Sequence, residues 1–301
     1  MFWQNWQSYI KDDTPLSKIA IPGAHNAGSY DMNFLACCQD GTLYEQFLYG
    51  VRYFNIRLHT NKDGTIVLAH GPLKGHTFVS CLIDLQNIIT SFPNEFIILD
   101  IREYYPQKLG IINITHNINT DKMNELLEKY IIPSKYALTN FDDISKVTLG
   151  EIRKQNKRYL LVNYQKAYNY SVDNPIVLPW HSKTFYTTAK KFVNTIPKYL
   201  SDSFENSLVC FQIQRTFNTG FETGFTSPRK LEKHLFEYFP ELFENISINP
   251  KYVKNVNIVA GDFMTKSYQK ARHILMLNLL KGIVIEDKIT IYFKNLWSIQ
   301  K

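Results

Sequence analysis

Short apolar runs rich in β-branched and aromatic residues recur along the chain, and between them the apolar positions change to helical spacing. Eight runs read as buried strands: 18–25 (KIAIPGAH), 53–60 (YFNIRLHT), 65–70 (TIVLAH), 96–104 (FIILDIREY), 159–165 (YLLVNYQ), 176–180 (IVLPW), 208–215 (LVCFQIQR) and 257–263 (NIVAGDF). Phe78, Leu82, Leu85, Ile89 and Phe92, three or four apart and followed by Pro93, predict a crossover helix. A second helix is predicted from Ser227-Pro228 through Leu231, Leu235, Phe236 and Phe239 to Pro240, and a third through Ala271, Ile274, Leu275 and Leu279. Residues 106–120 read as an irregular insertion, and Phe2, Trp3 and Trp6 fall on a predicted amino-terminal helix. Ile283 to Phe293 reads as an added strand or a docking segment.

Strand-helix alternation with continuous apolar strands predicts an α/β fold, a closed parallel barrel in a single domain over 1–301, with a short carboxyl-terminal extension at about 282–301. A doubly wound open sheet would also alternate, but the chain has no glycine-rich phosphate loop to accompany it. The composition, 45% hydrophobic and 20% charged, excludes a disordered or fibrous chain. The net charge of +7 favours anionic partners, but the basic residues are spread rather than striped with aromatics, so nucleic-acid binding is not expected. Four cysteines, two of them adjacent at Cys37 and Cys38, show no zinc-ligand spacing and are expected as free thiols. No run of 18 apolar residues is present, and the amino terminus lacks the basic and apolar regions of a secretory signal; a soluble monomer is expected, with export left open.

A parallel barrel gathers the carboxyl ends of its strands on one face. The ionisable residues at those ends are His25, Arg57, His70, Arg102 and Asp262. Two imidazoles, an arginine and a carboxylate suffice for phosphodiester cleavage. One histidine takes a proton from the attacking hydroxyl and the other gives one to the leaving oxygen, while arginine holds the nonbridging oxygens and the carboxylate orients the base. The bland reading of a loop histidine is a surface residue, and it is preferred for His59, His76, His116, His181, His234 and His273. His25 and His70 differ in that both end apolar strands beside glycine. Asp262 by itself reads equally well as a structural carboxylate at a strand end.

The segments 21–29 (IPGAHNAGS), 50–57 (GVRYFNIR), 67–73 (VLAHGPL) and 257–263 (NIVAGDF), in this order and spacing, resemble the X-domain of phosphatidylinositol-specific phospholipase C. The likeness covers roughly residues 1–280, is strongest in the first 105, and extends to single-domain bacterial enzymes and eukaryotic X-domain-only proteins. It implies a distorted (β/α)8 TIM-type barrel that cleaves phosphatidylinositol, or a related inositol phospholipid at a membrane surface, to diacylglycerol and inositol 1,2-cyclic phosphate. By resemblance His25 is the general base on the inositol 2-hydroxyl, oriented by Asp262, and His70 is the general acid. Calcium-dependent members carry acidic ligands late in strands two and four. Here Asn55, Arg57 and Arg102 stand there, so no metal is expected and Arg57 takes its place. Arg102 would contact phosphate or inositol hydroxyls. Asn26, where metal-independent members usually carry aspartate, holds a hydrogen bond without supplying charge.

Tyr164, Gln214 and Arg215, beyond strands five and seven, are candidates for the inositol pocket, and Phe2, Trp3 and Trp6 for membrane contact, with capping of the barrel floor as the other reading of the aromatics. Two alternatives stand beside the lyase: a catalytically weak X-domain that binds anionic lipid or protein, and a phosphodiesterase acting on another phospholipid.

Overall fold

The computed structural model describes residues 2–297 apart from 104–106, 110–111, 115–116, 132–133, 164–167, 180–187, 203, 205, 216–225 and 266–267. Eight parallel strands follow one another around a distorted α/β barrel: β10 (Ile176–Val177), β11 (Leu208–Gln212), β12 (Ile258–Gly261), β1 (Ile21–Ala24), β2 (Tyr53–Thr60), β5 (Ile97–Glu103), β8 (Tyr159–Val162) and β9 (Ser171–Val172). The path ends at β9 and β10, which are not paired with each other among the described residues.

One predicted stave lies elsewhere. The run at 65–70 forms β3 (Ile66–His70), which pairs antiparallel with β2 and with β4 (Leu73–Thr77). Its connection to β2 is a tight turn in which Gly64 donates to Asn61 and Asn61 to Thr65, whereas a parallel return needs a crossover of a dozen or more residues. The eighth parallel strand is β9, whose Ser171–Val172 lies among polar residues and offers no apolar run.

The predicted crossover helix is α2 (Phe78–Ser91), and the third predicted helix is α9 (Tyr268–Leu280). The second divides into α6 (Pro228–Phe236) and α7 (Phe239–Ser247). Pro240 lies in the first turn of α7, where a missing N–H costs nothing, so it starts a helix rather than ending one. Part of 106–120 is a small hairpin, β6 (Gln107–Leu109) with β7 (Ile112–Ile114). The carboxyl-terminal segment adds a helix, α10 (Ile289–Trp297), not a strand; it buries Tyr292 and Leu296.

Strand alternation sorts the side chains into two layers. Phe54, Ile56, Leu58, Leu99, Ile101, Leu161, Phe211 and Val259 face outward into a core shared with the helices. Ile21, Tyr53, Ile98, Leu160, Cys210 and Ile258 face inward, continuous with a floor made by Phe2, Trp3 and Trp6. Those three aromatics are 7%, 2% and 0% exposed, on short 3₁₀ turns, which corrects their expected membrane contact. Trp6 Nε1 donates to Gly50 O at 2.9 Å, and Phe2 packs edge-on against Tyr9 and Tyr292.

Arg52 locks this floor. Its guanidinium donates to Glu95 at 2.7 Å and to the carbonyls of Phe47, Val51, Trp3 and Gln4, and it lies 3.7 Å over the Phe47 ring. Both ions are buried, so removing one strands the other. Glu95→Ala is expected to lower the unfolding free energy by about 3–5 kcal/mol in urea titration, and a loss below about 1 kcal/mol would contradict the role given to the pair.

Candidate active site

The inward positions of β1 are Ile21, Gly23 and, just past its end, His25. Gly23 is required because a Cβ there would come within 2.8 Å of the ring of Tyr53, its register partner on the neighbouring strand β2. The parallel register of β1 on β12 sets Ala24 beside Gly261, and the His25 amide continues the ladder to Gly261 O at 3.0 Å. His25 therefore meets Asp262, the next inward residue of the neighbouring strand: Nδ1 lies 2.8 Å from Asp262 Oδ1. On its other side Nε2 is 3.3 Å from Arg57 Nη2. Arginine only donates, so Nε2 carries the lone pair and Nδ1 the proton, given to Asp262. This tautomer is the one a general base needs.

Burial pushes the Asp262 carboxyl up to about 7, with the charge of Lys270 as the largest opposing pull. The fully buried Lys270 ammonium donates to the backbone carbonyl of Asp262 and pairs with Glu232.

His70 reaches the same mouth from the β3–β4 hairpin rather than from a stave. Gly71, at φ +57°, makes the turn that follows it. His70 Nδ1 donates to Ala36 O at 2.8 Å and lies 3.6 Å from Cys38 Sγ. Burial, with Arg57 adding to it, drives this imidazole down to about 4.

The segment 36–39, which carries no periodic signal in the sequence, straps the site together. Gln39 Nε2 bridges the carbonyls of His25 (2.7 Å) and Gly261 (3.0 Å), its Oε1 accepts from the Met264 amide, and Cys38 O accepts from the Phe263 amide. Cys38 is thereby buried beside Asp262, whose charge raises its thiol pKa further after burial itself. Asn26, left-handed at φ 44°, turns its Nδ2 to Cys38 Sγ at 3.7 Å, and its Oδ1 has no partner among the described residues.

Arg102 is inward-facing and buried, but its Nε and Nη2 are committed to Asp100 at 2.5–2.8 Å. Asp100 also accepts from the Tyr53 hydroxyl at 2.5 Å and, more distantly, from Asn55. A lone aspartate inside an apolar run, two residues before Arg102 and hence on the same face, was the available signal for this pair. Gln214 is 3% exposed, with an unpartnered Oε1 among the described residues, and Arg215 is half-buried. Tyr164 lies outside the described residues. Just before the strap in sequence, Phe34 and Leu35 are apolar side chains exposed at 68% and 39%, and Phe34 lines a pocket together with Cys37 and Gln39 of the strap.

All four cysteines are free thiols. One group of three side chains among the described residues could hold a metal: His25, Cys38 and Asp262, with ligand atoms within 4.8 Å of one another. A thiol and an imidazole are not a calcium set, which calls for six to eight oxygens.

No family model matches the chain. Over 108 residues it is 32% identical to a 1-phosphatidylinositol phosphodiesterase of Staphylococcus aureus (strain Newman), a match covering 34% of this chain and only 35% of that protein's length. It is 23% identical over 294 residues, 91% of this chain and 85% of the relative, to a 1-phosphatidylinositol phosphodiesterase of Listeria monocytogenes. The solved phosphatidylinositol-specific phospholipase C from Listeria monocytogenes superposes with a TM-score of 0.66 at 21% identity, covering 92% of this chain and 98% of that one. A single-site variant of the Staphylococcus aureus enzyme superposes with a TM-score of 0.58 at 20% identity, covering 86% and 90%.

Because burial opposes the charged imidazole, His70 is expected to stay neutral as pH falls through the ordinary 6.5 and to take up its proton only near 4, followed by nitrogen-15 NMR of the imidazole. Titration at 6.5 or above in the free protein would contradict the buried setting.

Proposed function

We propose that the chain, similar in sequence and in fold to bacterial phosphatidylinositol-specific phospholipases C, cleaves phosphatidylinositol by internal attack. His25 Nε2 removes the proton of the inositol 2-hydroxyl, whose oxygen bonds to phosphorus. The bond from phosphorus to the glycerol oxygen breaks, and that oxygen leaves as diacylglycerol with a proton from His70. The second product is inositol 1,2-cyclic phosphate.

The observation that carries this reading is the chain Arg57–His25–Asp262, which fixes a neutral imidazole with its lone pair beside a guanidinium. The phosphodiester needs a cation on its nonbridging oxygens, and Arg57 supplies one within reach of the base, so calcium has no step to perform. His70 is neutral in the free protein. The bound phosphodiester anion raises its proton affinity, so it charges when there is a leaving group to protonate. Gln214, Arg215 and the Asp100-held Arg102 are the lumenal polar groups offered to the inositol hydroxyls, and Phe34 with Leu35 replaces the amino-terminal aromatics as the lipid-facing pair.

Phosphatidylinositol vesicles incubated with the protein in chelator are expected to yield cyclic phosphate, seen by phosphorus NMR. His25→Ala is expected to lower the rate by about 10²–10⁴-fold. Product that appears only after calcium is added would contradict the role of Arg57, and product of undiminished rate from His25→Ala would remove the base. Phe34→Ser is expected to weaken vesicle binding about tenfold in a sedimentation assay, as removal of one inserted aromatic should. Unchanged binding would move the lipid contact elsewhere.

A further inference from the structure

We propose that His25, Cys38 and Asp262 form a binding site for a soft divalent cation of the zinc class, and that filling it switches catalysis off. The proposed chemistry uses the thiol only as a ligand, and it rests on the functional reading above solely for its second half. In a tetrahedral zinc site with bonds of about 2.0–2.3 Å, ligand atoms stand roughly 3.3–3.6 Å apart. The three atoms here already lie within 4.8 Å of one another, so the site closes with shifts on the order of 1 Å.

The donor set fits the ion. A thiolate, an imidazole and a carboxylate are the ligands zinc takes, and two anionic ligands neutralise the dication in a buried place beside Arg57. Around the cluster stand His70 Nδ1, 3.6 Å from Cys38 Sγ, and Asn26, 2% exposed, whose amide meets Cys38 and whose Oδ1 lacks a partner among the described residues. Oxygen-only cations such as calcium are refused by the same donors.

Inhibition follows from whichever nitrogen of His25 the metal takes. Coordination at Nε2 occupies the lone pair that would receive the substrate proton. Coordination at Nδ1 displaces its proton, and the neutral ring must then carry it on Nε2, so the lone pair is lost there too. Asp262, drawn onto the metal, no longer orients the ring. Binding forms the metal–sulfur bond and releases to solvent the proton of the Cys38 thiol and, where the Asp262 carboxyl is protonated, that proton as well.

The test uses cobalt(II) as the spectroscopic probe, which needs no activity. The full chain is expected to bind one equivalent with a thiolate-to-cobalt charge-transfer band that zinc abolishes by displacement; Cys37→Ala keeps the band and Cys38→Ala loses it. Should Cys38→Ala fail to fold, Asp262→Asn is expected to keep the band and weaken cobalt binding at least tenfold. No band, or a band that follows Cys37, overturns the site. In the vesicle assay zinc is expected to abolish cleavage and excess chelator to restore it. A one-equivalent band in protein whose cleavage zinc leaves unchanged overturns the switch.

Discussion

The parallel pairing of Ile21–Ala24 with Ile258–Gly261 is the constraint on which the site depends. It joins segments 237 residues apart, and its register alone decides that His25 meets Asp262. A slip of one residue would turn His25 into the helical layer, because side chains alternate across a strand. The Gln39 side chain, bound to a carbonyl of each strand, holds the two ends together where the ladder itself has run out.

The same alternation grades the lumen from bottom to top. Apolar inward residues continue into the aromatic floor, which Arg52 and Glu95 tie to the first turns of the chain. Above them comes the Tyr53–Asp100–Arg102 layer, and above that the Arg57–His25–Asp262 chain with His70 beside it. Each ionisable group is thus held by a partner in a low-dielectric wall, and burial is the first cause of both the raised Asp262 and the lowered His70. A charge brought in by a ligand acts strongly in such a place.

Seven of the eight parallel strands and the four ionisable groups at the centre of the mouth were legible in the sequence. Apolar runs mark buried strands, and a barrel directs their ends to one face. His70 was placed rightly for a wrong reason: its strand is half of a hairpin, and the short link from Thr60 to Ile66 already excluded a crossover. Phe2, Trp3 and Trp6 could not be assigned from pattern, since aromatic residues serve membrane and core alike; their burial under Arg52 decided it. Gln39 and Cys38 carried no periodic signal, because a strap is defined by the strands it crosses and not by its own sequence. Asp100 was hidden by its apolar neighbours, although its spacing from Arg102 fixed a common face.

In the proposed mechanism the attacking nucleophile belongs to the substrate and His25 serves it. The direct measurement is cleavage, in chelator, of a phosphatidylinositol analogue in which the inositol 2-hydroxyl is replaced by hydrogen. The analogue is expected to bind in vesicles and to remain uncleaved, since nothing remains for His25 to deprotonate. Release of diacylglycerol from it at a rate comparable to the natural lipid would make water the nucleophile and contradict the mechanism.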